Sequence, residues 1–267
     1  MQREAGGIAA VNLASIKCDA ALGAIPMARL PRLVVPGQLH HILAKGHNQQ
    51  PVFGEQADYQ AFLRCLKDAA NQYEVALHAY VLLPARIQLL ATPATELGLG
   101  RMMQALGRHY VPYFNARHAR TGSLWDGRFR ATVLEASQYF LPCCIMMEYQ
   151  SITAGLSAEL ASYPWSSHAH HLGLEKNPVI TDHPEYWALG NTPFQREAAY
   201  KTLSEFVPQA RLVEEIETAT QKAWALGSEE FKRQLAKLTP RRLSPVPRGR
   251  PSKSIKLLKD IKIKSES

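Results

Sequence analysis

The feature that most constrains the fold is an apolar hairpin, Glu74–Pro93. Two apolar runs are separated there by Pro84-Ala85, a pattern that predicts paired antiparallel strands with a turn at the proline. In the second strand Arg86 and Gln88 are two residues apart, so their side chains lie on the same face of the sheet. The hairpin therefore predicts a largely buried sheet that presents a polar site on one face.

The patterns on either side of this hairpin predict a ferredoxin-like fold of the α+β class. The predicted elements are a strand over Gln38–Gly46, a helix over Asp58–Tyr73, a helix over Leu97–His118, a strand over Ala131–Glu135 and a helix over Ser137–Thr153. With the hairpin, the order is strand, helix, strand, strand, helix, strand. This is the split β-α-β arrangement, an antiparallel sheet with packed helices.

The length of 267 residues favours one core domain with an appended piece. We expect a loose extension over residues 1–26, with Met27 as an alternative start, and the ferredoxin-like domain over 27–172. Residues 173–240 are interpreted as a linker with a helical C-terminal region, and residues 241–267 as a basic disordered tail.

Within the C-terminal region, prolines predict a loop over residues 177–208. Helical patterns follow over residues 209–223 and Glu229–Leu238, joined by a turn at Gly227-Ser228. Two short helices across such a turn fit either a plain helical hairpin or a helix-turn-helix.

Composition favours an anionic partner. The net charge is +8 and the sequence pI is about 9.3, which points to nucleic acid first and acidic lipid second. No apolar run reaches the length of a membrane span, and no signal peptide is evident, so we expect a cytoplasmic protein.

The cysteines and the first strand's histidines do not predict a metal site. None of the four cysteines has the spacing of metal ligands, and we interpret them as free thiols of a reducing compartment: Cys18, Cys65, Cys143 and Cys144. His40 and His41 are adjacent, face opposite ways and cannot chelate an ion together.

Two basic segments are candidates for nucleic-acid contact. The first is the glycine-punctuated loop Arg120–Arg130, which combines arginines with aromatic side chains. Within it Trp125 is either a stacking platform for an unpaired base or an anchor of the core. The second is the AT-hook-like core Arg248-Gly249-Arg250, in which glycine lets the backbone enter a narrow minor groove between two arginines. A merely solvated basic tail is the alternative.

Two longer blocks are specific enough to indicate a family. They are Arg120-Thr121-Gly122-Ser123-Leu124-Trp125-Asp126-Gly127-Arg128 and Tyr163-Pro164-Trp165-Ser166-Ser167. Shorter blocks lie in the same order at Met27–Arg32, Lys45-Gly46, Asp58-Tyr59, His78–Leu82, Met103–Arg108 and Tyr113–Asn115. With these blocks the chain, from Arg29 to His170, resembles the REP-associated tyrosine transposases, relatives of the single-strand insertion-sequence transposases with a His-hydrophobic-His motif. The segment from Trp224 to Pro251 resembles an extension seen in part of this family.

The resemblance implies a catalytic site whose central groups are replaced in this chain. Members of the family hold Mg²⁺ or Mn²⁺ with the two histidines of the hairpin strand, and a tyrosine on the last core helix attacks the DNA phosphate. Here the histidine positions are Arg86 and Gln88, the tyrosine position is Met146, and Gln150 stands where a third metal-facing side chain can occur. Arginine is always charged and cannot bind a cation. Tyr149 is the remaining candidate nucleophile.

These observations favour a DNA-binding protein that does not cut DNA and needs no metal or other cofactor. We expect it to bind a hairpin, a single strand or a duplex, to be associated with the nucleoid and to have a regulatory role. From the resemblance we also expect a homodimer, as family members form. The expected DNA contacts are Lys45, Arg86, Arg117, Arg120, Trp125, Arg128, Arg130, Arg248, Gly249 and Arg250. Two alternatives stay open: an active transposase or endonuclease that uses Mg²⁺ or Mn²⁺ with another nucleophile, and a structural or interaction module.

Overall fold

A four-stranded antiparallel sheet organises residues 32–245, the part of the chain that the computed structural model describes. The strands are β1 (Leu39–Lys45), β2 (Val75–Leu83), β3 (Arg86–Pro93) and β4 (Arg130–Leu134), in the order β2-β3-β1-β4. The ferredoxin-like order and the hairpin turn at Pro84-Ala85 are confirmed. Gly46 follows β1 directly, and the position requires glycine because a Cβ there would lie 2.1 Å from the carbonyl oxygen of Gln50.

One face of the sheet is covered by α1 (Gln56–Gln72) and α2 (Gly98–Arg117). Each helix carries an apolar stripe at helical spacing, and the two stripes pack on the alternate apolar residues of the strands. Phe62 and Tyr110 are fully buried between them. This face is a closed hydrophobic core.

The opposite face is covered by α3 (Ala136–Thr153) and by the helices that follow it. These are α4 (His168–His171), α5 (Pro184–Trp187), α6 (Pro193–Ser204) and α7 (Ala210–Lys222). Their apolar residues, with Phe140, Tyr200 and Ile216 among the fully buried ones, form a second core cluster with this face of the sheet. Because Arg86 and Gln88 alternate with Ile87 and Leu89 of the first core, the polar pair faces these helices.

The segment 177–208 differs from its predicted loop, since it contains α5 and α6. Proline disrupts a helix only when it lies in the helix interior. Pro193 occupies the first turn of α6, where the missing N–H has no consequence. A capping box is also present: the Gln195 N–H donates to Thr192 Oγ1 at 3.3 Å, and the Thr192 N–H donates to Gln195 Oε1 at 3.2 Å.

The two predicted C-terminal helices are confirmed as α7 and α8 (Glu229–Leu238). Ser228 begins α8 by accepting a hydrogen bond from the Phe231 N–H at 3.1 Å. The connector between the helices is fixed to β4, because the Leu226 N–H donates to the Val133 carbonyl and the Glu135 N–H to the Leu226 carbonyl, both at 2.9 Å. The helix-turn-helix reading stays a prediction.

The expected extension over residues 1–26 and the tail contacts Arg248, Gly249 and Arg250 lie outside the described residues. Within the described part, no helix is long and apolar enough to cross a membrane.

Candidate nucleic-acid interface

Strand register brings three cations together at one end of the sheet. Lys45 of β1 lies directly opposite Arg86 of β3, and directly opposite residues of an antiparallel pair project from the same face. On the other side of β1, Leu43 lies opposite Arg130 of β4, one alternate position from Lys45. The sequence alone shows three separate basic residues, and only the long-range pairing makes them neighbours.

The loop that precedes β4 is held against this end of the sheet by backbone hydrogen bonds. The Asp126 N–H donates to the Lys45 carbonyl at 2.8 Å, and the His47 N–H donates to the Leu124 carbonyl at 3.0 Å. These bonds fix the predicted contact residue Arg128 beside Lys45 and Arg130. Together they enclose a cavity of about 330 Å³, the basic cavity, with Asp126 as its acidic side chain.

The basic cavity also receives Lys222 from the last turn of α7, together with Gln221. Sequence reasoning missed Lys222, because nothing local connects it with residues almost one hundred positions earlier. Lys45, Arg128, Arg130 and Lys222 are all exposed. Four cations against one carboxylate make this cavity suitable for an anion.

Neighbouring cavities extend the basic cavity into a groove. A hairpin cavity of about 530 Å³ shares Lys45 and Asp126 with it and is also lined by Arg86. An inner cavity of about 350 Å³ shares Arg86 with the hairpin cavity. On the other side an outer cavity of about 430 Å³ shares Arg128 and Phe129 with the basic cavity. Each of these four cavities shares lining residues with the next, and we call the set the basic groove.

The remaining predicted contacts of the loop and of α2 lie in different places. Trp125 is half-buried, lines the outer cavity and packs edge-on against Phe62 with ring centroids 6.4 Å apart. Arg117 pairs with Glu55 at 2.6 Å, and Arg120 donates to Gln50 Oε1 at 2.9 Å. Neither arginine lines the basic groove, so a DNA contact by either one stays a prediction.

At the inner end of the groove the residues in the family's catalytic positions form a hydrogen-bonded network. Gln150 Oε1 accepts from both the Arg86 guanidinium and the Gln88 side-chain amide. Gln88 Oε1 in turn contacts His41 Nε2 at 2.8 Å, and His41 Nδ1 contacts Thr220 Oγ1 of α7 at 2.8 Å. The network therefore links β1, β3, α3 and α7.

The hydrogen-bond donors of this network assign the proton of His41. Because the Gln88 amide donates to Gln150, its oxygen faces His41 and Nε2 must carry the imidazole proton. Nδ1 then carries a lone pair and lies 2.8 Å from Thr220 Oγ1, whose single hydrogen also has the Ile216 carbonyl oxygen as an acceptor at 2.8 Å. Burial lowers the pKa of His41 to about 4, opposed by the Gln88 hydrogen bond and reinforced by the Arg86 charge. His41 is thus neutral at physiological pH.

These residues do not fit the divalent ion that the family uses. The sequence resemblance implies a metal ligand at the position of Arg86, but the fixed positive charge of a guanidinium repels a cation. The side-chain oxygens of Gln88 and Gln150 already have hydrogen-bond partners. Within residues 32–245 there is also no group of three or more His, Cys, Asp or Glu side chains arranged to hold a metal ion.

The candidate nucleophile positions lie on the α3 side of the inner cavity. Met146, at the expected tyrosine position, is buried and contributes a thioether, which cannot attack phosphorus. Tyr149 is half-buried and also lines this cavity. Gln150 follows it, and its amide nitrogen has no hydrogen-bond partner among the described residues.

A second polar cluster lies deep behind α3 and was not predicted from the sequence. The buried carboxylate of Glu148 contacts His168 Nδ1 at 2.7 Å and accepts from the Tyr200 hydroxyl at 2.9 Å, and His171 Nδ1 lies 3.6 Å away. Burial raises the pKa of Glu148, but the two neighbouring imidazoles outweigh burial and lower it to about 2. The cluster joins α3, α4 and α6, and its burial indicates a structural role.

Solved structures that are similar to this chain include two that are described as transposases. One is the REP-associated tyrosine transposase bound to a REP hairpin, with a TM-score of 0.45 and 11% identity over 60% of this chain and 93% of that chain. The other is a protein assigned as a transposase from Deinococcus radiodurans R1, with a TM-score of 0.29 and 20% identity over 51% of this chain and 99% of that chain. No protein-family model and no curated protein matches the chain.

Proposed function

We propose that this chain is a DNA-binding protein related to the REP-associated tyrosine transposases, and that it binds DNA without cutting it. The basic groove would hold the sugar-phosphate backbone, with phosphates at Lys45, Arg128, Arg130 and Lys222. Such contacts position a nucleic acid without reading its sequence. A cytoplasmic, nucleoid-associated location and a homodimer are part of the same proposal.

The observation that supports DNA binding most directly is the pairing of like charges. Lys45 and Arg86 occupy directly opposite positions of two neighbouring strands. Like charges in such positions destabilise a sheet, so this pair by itself does not stabilise the fold. A phosphate between them would remove the repulsion and form charge-assisted hydrogen bonds with both. The DNA would be a hairpin, a single strand or a duplex, since any of them presents such phosphates.

The proposal that cutting is lost rests on the inner end of the groove. The sequence resemblance assigns Arg86 to a metal-ligand position and Met146 to the nucleophile position, and both residues line the inner cavity. Tyr149 keeps the alternative of an active enzyme open for experiment, because it lines the same cavity. The basic groove supports DNA binding more than it supports the alternative of a structural or interaction module.

The test of DNA binding compares two double variants with equal charge change. Arg128→Ala with Arg130→Ala should weaken binding to a labelled hairpin and lower the slope of log affinity against log salt by about two. Arg64→Ala with Lys201→Ala removes two exposed charges that do not line the groove, and should leave the slope unchanged. Equal slopes for both double variants and the parent would refute the groove as the DNA site.

The test of cutting uses the same labelled hairpin with Mg²⁺ or Mn²⁺ on a denaturing gel. We expect neither cleaved product nor a covalent protein–DNA band, and we expect the same binding affinity with and without metal. A metal-dependent product that disappears in Tyr149→Phe would establish the active-enzyme alternative in place of the proposal.

A further inference from the structure

The inner cavity contains one cation and one carboxylate that face each other across it. Arg86 extends from β3, and Glu217 extends from the middle of α7, with 3.7 Å between Arg86 Nη1 and Glu217 Oε1. The two side chains are 30% and 35% exposed, so both are reached by water. Among the described residues that line this cavity, these two are the charged ones.

The contact between these two side chains is loose. Charge-assisted hydrogen bonds from nitrogen to oxygen have lengths of about 2.7–2.9 Å, and 3.7 Å is too long for one. The guanidinium already donates to Gln150 through Nη2, which fixes its orientation. Nη1 therefore faces the cavity, where the Glu217 carboxylate attracts it electrostatically but forms no hydrogen bond with it.

The helix that carries Glu217 is anchored on both sides of this residue. On the C-terminal side, Thr220 bonds His41, and the connector that follows α7 is hydrogen-bonded to β4. On the N-terminal side, Ile216 is fully buried, and Glu215 Oε1 accepts a hydrogen bond from the Tyr139 hydroxyl at 3.2 Å. The Glu217 side chain is 35% exposed, so a change of its rotamer alone would separate it from Arg86 while the helix stays in place.

We propose that Glu217 occupies the place of a DNA phosphate at Arg86, so that α7 closes an anion subsite at the inner end of the basic groove. This inference rests on the proposed function and assigns a regulator to the same site. The Glu217 carboxylate neutralises Arg86 when no DNA is bound. A phosphate that enters from the hairpin cavity, which Arg86 also lines, displaces the carboxylate and forms the short hydrogen bond that Glu217 does not form.

Competition by an internal carboxylate lowers the affinity for DNA. Glu217→Gln removes the competing charge and keeps the size of the side chain. It should raise the affinity for a labelled single-stranded or hairpin DNA by about three- to fivefold, which corresponds to the free energy of one partly exposed ion pair. The matched control is Glu214→Gln, which makes the same charge change at an exposed position of the same helix. It should raise affinity only by the small general effect of one added unit of net charge.

Arg86 supplies the second arm of the experiment. In an Arg86→Gln background the Glu217→Gln change should no longer raise affinity beyond the Glu214→Gln change, because the carboxylate has lost the cation that it neutralises. Circular dichroism and thermal melting of each full-length variant establish that the fold is intact before binding is measured.

The outcomes separate this inference from the proposed function. If the parent chain binds DNA and Glu217→Gln equals Glu214→Gln, the internal phosphate mimic is refuted while DNA binding stands. An equal gain from Glu217→Gln in the Arg86→Gln background also refutes it, since the effect would not act through Arg86. If neither the parent nor any variant binds DNA, the proposed function fails first and the inference fails with it.

Discussion

The buried histidine of the inner network predicts how the stability of this protein depends on pH. His41 has a pKa of about 4 in the folded state against 6.5 when unperturbed. In the folded chain it therefore stays neutral while the unfolded chain takes up a proton, so the unfolded state binds more protons and stability falls with falling pH. The contribution is complete above pH 6.5 and is lost between pH 6.5 and 4. From pH 7 to pH 5 the loss due to His41 is about 2 kcal/mol.

The assay is urea unfolding at pH 7 and pH 5, followed by circular dichroism. His41→Gln removes the titrating group, so its loss of unfolding free energy between the two pH values should be smaller than that of the parent by about 2 kcal/mol. His40 keeps a loss in the same direction, since burial lowers its pKa to about 4 as well. The control His47→Gln alters an exposed histidine and should behave as the parent does. An equal pH effect in His41→Gln and the parent would refute the neutral, network-bound state of His41.

Two further predictions concern the deep cluster and the tail. Glu148→Gln should lower the free energy of unfolding at pH 7 by about 3 kcal/mol, because it removes the charge that pairs with the buried imidazoles. The control, Glu159→Gln at an exposed position, should have almost no effect in the same urea titration. A loss below about 1 kcal/mol for Glu148→Gln would contradict the structural role. Arg248→Ala with Arg250→Ala should weaken binding mainly to AT-rich duplex in a titration of labelled DNA, and an equal loss on GC-rich duplex would leave only a charged tail in place of the AT-hook.

The core of the fold is predictable from the sequence because its signals are local. Alternating apolar residues and the Pro84-Ala85 turn define the hairpin, and the start of α8 follows from the turn at Gly227 and the N-cap Ser228. The helix α6 carries an equally local signal in Thr192 and Gln195, a capping box with proline at the first helical position. The density of prolines in the surrounding segment obscures that signal.

The candidate site is less predictable because long-range pairing creates it. The polar face at Arg86 and Gln88 follows from strand alternation alone. The neighbour of Arg86 in β1, the partner Glu217 and the contribution of Lys222 depend on register and on the docking of α7. No periodicity in the sequence specifies which face of the sheet a helix will cover 130 residues later. The same limitation hid the cluster around Glu148, whose imidazole partners come from α4.

Coverage of both sheet edges restricts how a homodimer could form. On the β2 edge the Leu82 N–H donates to the Trp165 carbonyl at 2.9 Å, and the Ser167 N–H donates to the Tyr80 carbonyl at 3.0 Å. On the β4 edge the connector after α7 holds Val133 and Glu135 through Leu226. A second copy that extended the sheet would have to break one of these sets and leave buried backbone groups without partners until new ones formed. These hydrogen bonds therefore argue against pairing of a second copy along either edge of the sheet.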